Sequence, residues 1–140
     1  MQAPQQIQQG IIDDFASLGD AFDQFTYLLE LAAQLPELNE QEKTTDVLVK
    51  GCQSQVWLHT HWTDGCLELR ADSDTLMVRG VIRIFELMFG GQTPQAVLDC
   101  PADFVEKTEL ASIFDSKRKA GVSSIEAAIR QSAEAALQSR

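Results

Sequence analysis

Between Ile11 and Leu35 the apolar positions Ile11, Ile12, Phe15, Leu18, Phe22, Phe25, Leu28, Leu29, Ala32 and Leu35 return every three to four residues. That spacing predicts two helices, each with one buried face. Gly19 and Asp20 divide them; Asp20 is placed to cap the second helix, Asp23 in its first turn favours the helix dipole, and Pro36 ends it. A polar, acidic connector follows from Pro36 to Asp46. From Val47 to Asp72 the period changes to two. Val56, Leu58, Thr60 and Trp62 alternate with Trp57, His59 and His61, and Thr63-Asp64-Gly65 turns the chain into Cys66-Leu67-Glu68-Leu69, the pattern of a β-hairpin. Val47-Leu48-Val49 predicts a third strand ahead of a turn at Gly51. Asp72-Ser73-Asp74 offers an N-cap to a helix running to Phe89, with Arg79, Arg83 and Glu86 as its narrow polar stripe. Gly90 and Gly91 stop that helix, Thr93-Pro94 opens a short one, and Ser116 begins an Ala-rich helix that ends near residue 138. The expected fold class is therefore α+β: a small three-stranded antiparallel sheet covered by helices.

Composition narrows the class without changing it. With 140 residues, 44% of them hydrophobic and 23% charged, the chain fits one globular domain spanning 1–140 and neither disorder nor a collagen-like repeat. The longest apolar stretch, Leu76 to Phe89, is broken by three charged residues and falls short of a membrane span. MQAPQQIQQG has neither a basic nor an apolar leader region, so the expected location is cytoplasmic. Charge is uneven: the net value is −10, and residues 1–42 hold eight acids and no Lys or Arg. This sign repels phosphate backbones, which argues against a nucleic-acid partner. The acidic front is either a solvated face or a surface that steers a basic protein.

The segment richest in chemistry is Lys50-Gly51-Cys52-Gln53-Ser54-Gln55-Val56-Trp57. It sets a cysteine at a turn between strands, after a glycine able to take positive φ, and Lys50 with the turn amides is placed to lower the thiol's pKa. From the residues alone this is as well read as a structural turn cysteine as a nucleophile. Cys52, Cys66 and Cys100 form an odd set without a CxxC pair, which argues against a disulfide framework, a closed zinc site and a dithiol oxidoreductase. His59 and His61 share a strand face at i,i+2, but no third metal ligand lies near them in sequence.

GCQSQVW resembles the cysteine signature of the SufE family, sulfur acceptors for cysteine desulfurases in iron-sulfur cluster assembly. Further family features stand in the same order at Leu35-Pro36-Glu37-Leu38, Ala71-Asp72-Ser73-Asp74, Val78-Arg79-Gly80, Gln92-Thr93-Pro94 and Arg118-Lys119-Ala120-Gly121. The resemblance covers a core of residues 20–138, most clearly to about 130, behind an N-terminal helical segment, 1–19. It departs from the family at Ala21-Phe22-Asp23, where tryptophan followed by acids is usual, at Ala32 in place of a glycine, and at the extra basic run Lys117-Arg118-Lys119.

The resemblance implies a SufE-like fold, similar to that of IscU-type cluster scaffolds, and a mechanism without a cofactor or bound metal. A PLP-dependent cysteine desulfurase forms a persulfide, Cys52 attacks its outer sulfur and carries it, and the sulfur passes to an iron-sulfur scaffold complex. The protein is then a carrier and desulfurase activator, not an enzyme, with no membrane or nucleic-acid partner. Gly51, Lys50, Gln53 and Arg118 are the expected supporting residues, Arg118 as the cation beside the thiolate or against the partner. The resemblance also implies that the Cys52 side chain turns down into an apolar seat, here built from the hairpin and the Leu76–Phe89 helix, which raises the thiol's pKa and blocks attack until a partner turns the loop outward, with Gly51 as hinge. The rival class is an iron-sulfur or zinc scaffold using several cysteines. Nothing in the sequence decides between a monomer and a homodimer.

Overall fold

A computed structural model describes residues 1–139. The first two helices, α1 (Pro4–Leu18) and α2 (Ala21–Gln34), stand where the 3.6-residue period put them. Asp20 caps α2 by accepting the Asp23 N–H at 2.8 Å, and Leu35 leaves the helix in extended conformation one residue before Pro36. The acidic connector holds two short 3-10 turns, Glu40–Glu42 and Thr45–Val47.

The hairpin is β1 (Val56–Thr63) paired antiparallel with β2 (Cys66–Ser73). Asp64 and Gly65 both have positive φ, 54° and 78°, the conformation that matches a two-residue turn to the strands' right-handed twist. The sheet has two strands among the described residues, not three. Val47-Leu48-Val49 contributes only a single bridge, Leu48 opposite Trp57, with Val49 N–H donating to Val56 O at 2.8 Å. The cause is local. The chain arrives through the Thr45–Val47 turn and leaves through Gly51, whose φ is 89°, so one residue lies in register before the backbone swings away.

The other helices are α3 (Leu76–Phe89), α4 (Pro94–Leu98), α5 (Leu110–Ile113) and α6 (Ser116–Gln138). The Thr93 cap follows the sequence, its side chain accepting the Ala96 N–H, and Asp115, not read as a cap there, accepts the Arg118 N–H at the start of α6. The expected Asp72-Ser73-Asp74 cap of α3 is corrected. β2 runs on through Ser73, Thr75 is the N-cap, and its side chain makes no capping bond. α5 and the irregular segment around it have no clear hydrophobic period. They are held by two buried glutamines on α1 and α2: Gln8 accepts from the Asp103 N–H and donates to Pro101 O, and Gln24 accepts from the Glu109 N–H. No helix among the described residues is long and apolar enough to cross a membrane.

The core centres on α3, which packs against α1, α2, β2 and α6. Val81, Ile84, Phe85, Met88 and Phe89 are fully buried, and Phe85 meets Phe104 edge to face at 5.4 Å. α3 lies so close to α2 that a Cβ on Gly80 would sit 2.5 Å from Leu28 O. One end of this packing is polar. Asp72, 3% exposed, pairs with Arg79 of α3 and accepts the Leu38 and Ser73 N–H groups, while Arg79 also donates to Leu35 O at 2.7 Å. Arg79 thereby satisfies a carbonyl that the end of α2 leaves without an intrahelical partner.

Two substitutions probe this arrangement by urea unfolding. Asp72→Ala leaves Arg79 charged and half-buried without its partner and is expected to cost about 3 kcal/mol, in the range for breaking a buried pair; a loss below about 1 kcal/mol would show that the pair does not organise the fold. Gly80→Ala adds a methyl against a backbone oxygen and is expected to destabilise by about 1–3 kcal/mol, despite alanine's better helix propensity. A stabilised Gly80→Ala protein would mean that α2 and α3 are free to separate.

Candidate functional site

Cys52 stands on the loop that joins the Leu48 bridge to β1, and both ends of this loop are tied down. On its far side Gln55 N–H donates to Asp74 Oδ1 at 3.1 Å, Ser73 Oγ donates to Gln55 O at 2.7 Å, and Thr75 Oγ1 donates to Ser54 Oγ at 2.8 Å. The residues expected to cap α3 therefore strap the cysteine loop instead. On the near side Gly51 is required twice over. Its φ of 89° disfavours any side chain, and a Cβ there would lie 2.6 Å from Ser124 Oγ on α6.

The Cys52 side chain turns inward. Its thiol donates to Gly121 O of α6 at 3.4 Å and borders an apolar pocket formed by Val56 of the hairpin, Val78 and Val81 of α3, and Val122 and Ile125 of α6. Only about 10 Å³ of free space remains there, enough for roughly one water-sized body. Two of the three walls, the hairpin and α3, belong to the seat expected from the sequence; α6 supplies the third.

Burial pushes the Cys52 thiol up from its ordinary pKa, and the Arg118 guanidinium pulls it partly back. Arg118 reaches the loop directly, donating from Nη1 to Ser54 Oγ at 2.9 Å, and lines the same pocket with Lys117. Lys50 is exposed on the outside of the turn, and the cation acting on the thiol is Arg118. The expectation of a thiol pKa lowered by Lys50 and the turn amides is thus corrected for this conformation, whereas the raised pKa implied by an apolar seat agrees with it: desolvation outweighs the neighbouring charge. Gln53 is exposed and lines the pocket mouth.

The other candidates lie apart from this site. Cys66 begins β2 beside the hairpin turn. Cys100 is buried, its thiol donating to Gln5 Oε1 at 3.4 Å, and burial with Asp103 and Glu126 nearby pushes its pKa up. His59 donates from Nε2 to Glu42 O at 2.7 Å, and His61 is exposed. Among the described residues no three His, Cys, Asp or Glu side chains converge in a way that could hold a metal. Ser54, Gly121, Val122, Ser124 and Ile125 were not singled out as parts of the site. The one signal for them was Gly121, a glycine inside a helix, which costs about 1 kcal/mol relative to alanine and marks close approach of another group.

The arrangement makes a measurable claim about reactivity. A raised pKa means that the neutral thiol is favoured, so at a given pH less thiolate is present than in a free cysteine. Alkylation of Cys52 in the free protein is therefore expected to be slow near pH 7 and to rise with a midpoint above that of an unstructured cysteine peptide. Arg118→Ala removes the lowering influence and should move the midpoint further up. A midpoint at or below that of an unstructured cysteine peptide contradicts the buried position of the thiol.

Comparison with known proteins agrees with the motifs that meet here. The family model described as SufE, an Fe-S metabolism associated domain, matches residues 9–133, beginning within α1 and so ahead of the core read from the sequence. An uncharacterised SufE-like protein of Rhizobium meliloti is 37% identical over 132 residues, covering 91% of this chain and 94% of its own. A second from Rhizobium etli is 36% identical over 129 residues, covering 88% and 86%. The solution structure of a hypothetical protein from Thermus thermophilus shares the fold, with a TM-score of 0.79 over 99% of both chains at 21% identity. With a family match over most of its length and relatives this similar across it, the chain belongs to the SufE family, whose domain is associated with iron-sulfur metabolism.

Proposed function

We propose that this protein is a sulfur carrier: it takes persulfide sulfur from a PLP-dependent cysteine desulfurase onto Cys52, stimulates that enzyme by doing so, and passes the sulfur to an iron-sulfur scaffold. The observation that carries the reading is the placement of Cys52. It is the one cysteine on a loop between a positive-φ glycine and a strapped strand end, with its thiol in an apolar seat and an arginine at the rim.

The chemistry is thiolate exchange. The Cys52 thiolate attacks the outer sulfur of the donor's persulfide; a new sulfur-sulfur bond forms on Cys52, the donor's own bond breaks, and the donor leaves as a thiolate. No electrons are gained or lost overall, and Cys52 holds the transferred sulfur as a persulfide. At rest the seat limits thiolate formation and access, so transfer needs the loop to turn outward. A resting state with about 1% open loop lies about 2.7 kcal/mol below it, an amount that partner binding readily supplies. Gly51 is the hinge of that motion, and the space beside the thiol protects the cargo from oxidants and small thiols. Arg118, already at the pocket rim, stabilises the thiolate when it forms.

A scaffold role using several cysteines is less well supported. The three thiols occupy the pocket beside α6, the hairpin turn and the interior behind α1, so they do not face one another.

Intact mass spectrometry tests the carrier reading. Incubated with a cysteine desulfurase and cysteine, the protein is expected to gain about 32 Da per sulfur, removable by reductant. Cys52→Ser should gain nothing, whereas Cys66→Ser and Cys100→Ser should load as the parent does. Loading that persists in Cys52→Ser and disappears in either other variant assigns the carrier thiol elsewhere.

A further inference from the structure

The cations of this acidic chain are unevenly employed. Of the ten Lys and Arg among the described residues, Lys43, Arg70, Arg79, Arg83 and Lys107 are in ion pairs with carboxylates. Of the remaining five, Lys117 and Arg118 line the thiol's pocket, and Lys50, exposed and directly before Gly51, stands on the neighbouring recess that Asp46 also lines. Lys119 is turned elsewhere, into a recess with Asp103, Glu106 and Glu126, and Arg130 donates to Leu98 O. The acids nearest the loop are already engaged. Asp74 accepts from Gln55 and Thr75, and Asp115 accepts the Arg118 N–H as the cap of α6.

An apolar side chain completes the patch. Leu76 is 62% exposed, although the rest of its helix is largely core. It follows Thr75, which bonds to the same Ser54 hydroxyl that Arg118 holds. The other exposed large hydrophobic residues, Met1, Leu18 and Phe22, all lie on the N-terminal helical segments.

We propose that Lys50, Lys117 and Arg118 form a cationic collar that docks an acidic surface around the donor's sulfur-bearing cysteine, with Leu76 as the apolar anchor. The proposal rests on the carrier reading and names the chemistry of its partner. Its physical basis is the charge of the reacting groups. The donor's persulfide and the departing thiolate are both anionic, and they must approach a protein whose net charge is −10. Repulsion from the acidic N-terminal third would slow that encounter. Unpaired cations set at the thiol reverse the local field where the sulfurs meet, and complementary charge at an interface chiefly raises the association rate and fixes orientation.

The test follows the rate of Cys52 loading by desulfurase and cysteine as the concentration of this protein is varied, at about 50 and about 300 mM salt, where screening lengths differ about 2.5-fold. The KM of the parent protein should rise several-fold with salt. The charge reversal Lys50→Glu/Lys117→Glu should raise KM at low salt by about tenfold, and the two proteins should converge at high salt, a convergence that simple misfolding would not produce. Asp13→Lys/Asp14→Lys changes net charge by the same magnitude in the opposite sense on the exposed side of α1 and should leave KM within about twofold, because α1 lies outside the docking surface. Leu76→Ser should raise KM equally at both salt concentrations.

The outcomes separate the two claims. If the parent protein is not loaded at any concentration, the carrier reading fails. If it is loaded with a KM indifferent to salt and to the collar reversal, the carrier reading stands and the collar is overturned. An α1 variant that shifts KM as strongly as the collar variant makes net charge, not the collar, the determinant. If sedimentation shows that the collar reversal abolishes a salt-sensitive self-association while KM stays unchanged, the collar serves a second copy of the chain.

Discussion

The ion pair between Asp72 and Arg79 is the constraint on which the other parts of this fold hang. Asp72 ends β2 and Arg79 lies one turn into α3, so the pair sets the angle at which the helix leaves the sheet. Through Leu35 O and the Leu38 N–H it also pins the end of α2 and the start of the acidic connector. Lys43 then reaches Asp72 at 4.0 Å and lies over the Trp57 ring, which brings the connector back across the hairpin. A buried pair is costly to desolvate and is not by itself a source of stability. Its effect comes from geometry, because each remaining lone pair and N–H must find its partner in one arrangement only. Three separate sequence motifs, at residues 35–38, 71–74 and 78–80, are thus parts of one network.

That network reaches the thiol through the backbone. With β2 held to its last residue, Ser73, Asp74 and Thr75 are presented to Ser54 and Gln55 and fix the far end of the cysteine loop. The near end is held by the Leu48 bridge and the Val49 N–H bond to Val56 O, and Gly51 fits closely against Ser124. In the proposed transfer the segment between these ties is the part that rotates. A half-buried cysteine is thus compatible with the proposed carrier function, in which protection and delivery would use the same loop in two positions.

Electrostatics divides the molecule along similar lines. The acids of the first 42 residues stand on α1, α2 and the connector, whereas Lys117 and Arg118, two of the described bases outside any ion pair, stand where α6 begins beside the cysteine loop. Arg118 belongs to both the chemistry and the surface: it acts on the thiol's charge and holds the Ser54 hydroxyl that the α3 entry also holds. Burial nevertheless dominates the thiol at rest. An arginine at the rim of an apolar pocket offsets only part of the desolvation penalty on a thiolate inside it.

The local signals in the sequence were sufficient for elements whose cause is local. The two N-terminal helices, the Asp20 cap, the Asp64-Gly65 hairpin turn, the Thr93-Pro94 start and the limits of α6 all follow from periodicity or from a residue bonding within three positions of itself. Cys52 and Arg118 were singled out differently, through a resemblance to family motifs, and the structure sets the two side by side at one pocket. What failed, or was absent, depended on contacts far along the chain. A third strand was expected from three β-prone residues, but strand length is decided by how the chain enters and leaves the sheet edge, and here only Leu48 stays in register. Asp72 resembles a helix cap until Arg79 and the Leu38 N–H claim its carboxylate. The pocket's third wall, Gly121, Val122 and Ile125, joins Cys52 from some seventy residues away, and α5 is held by glutamines from the first two helices. The thiol's pKa shows both sides: the lowering read from Lys50, a neighbour along the chain, does not hold, whereas the raising implied by an apolar seat does, because α3 and α6 bury the sulfur. Sequence neighbours set conformation over a few residues; desolvation and close packing are properties of the assembled interior, and they exist only once distant segments have met.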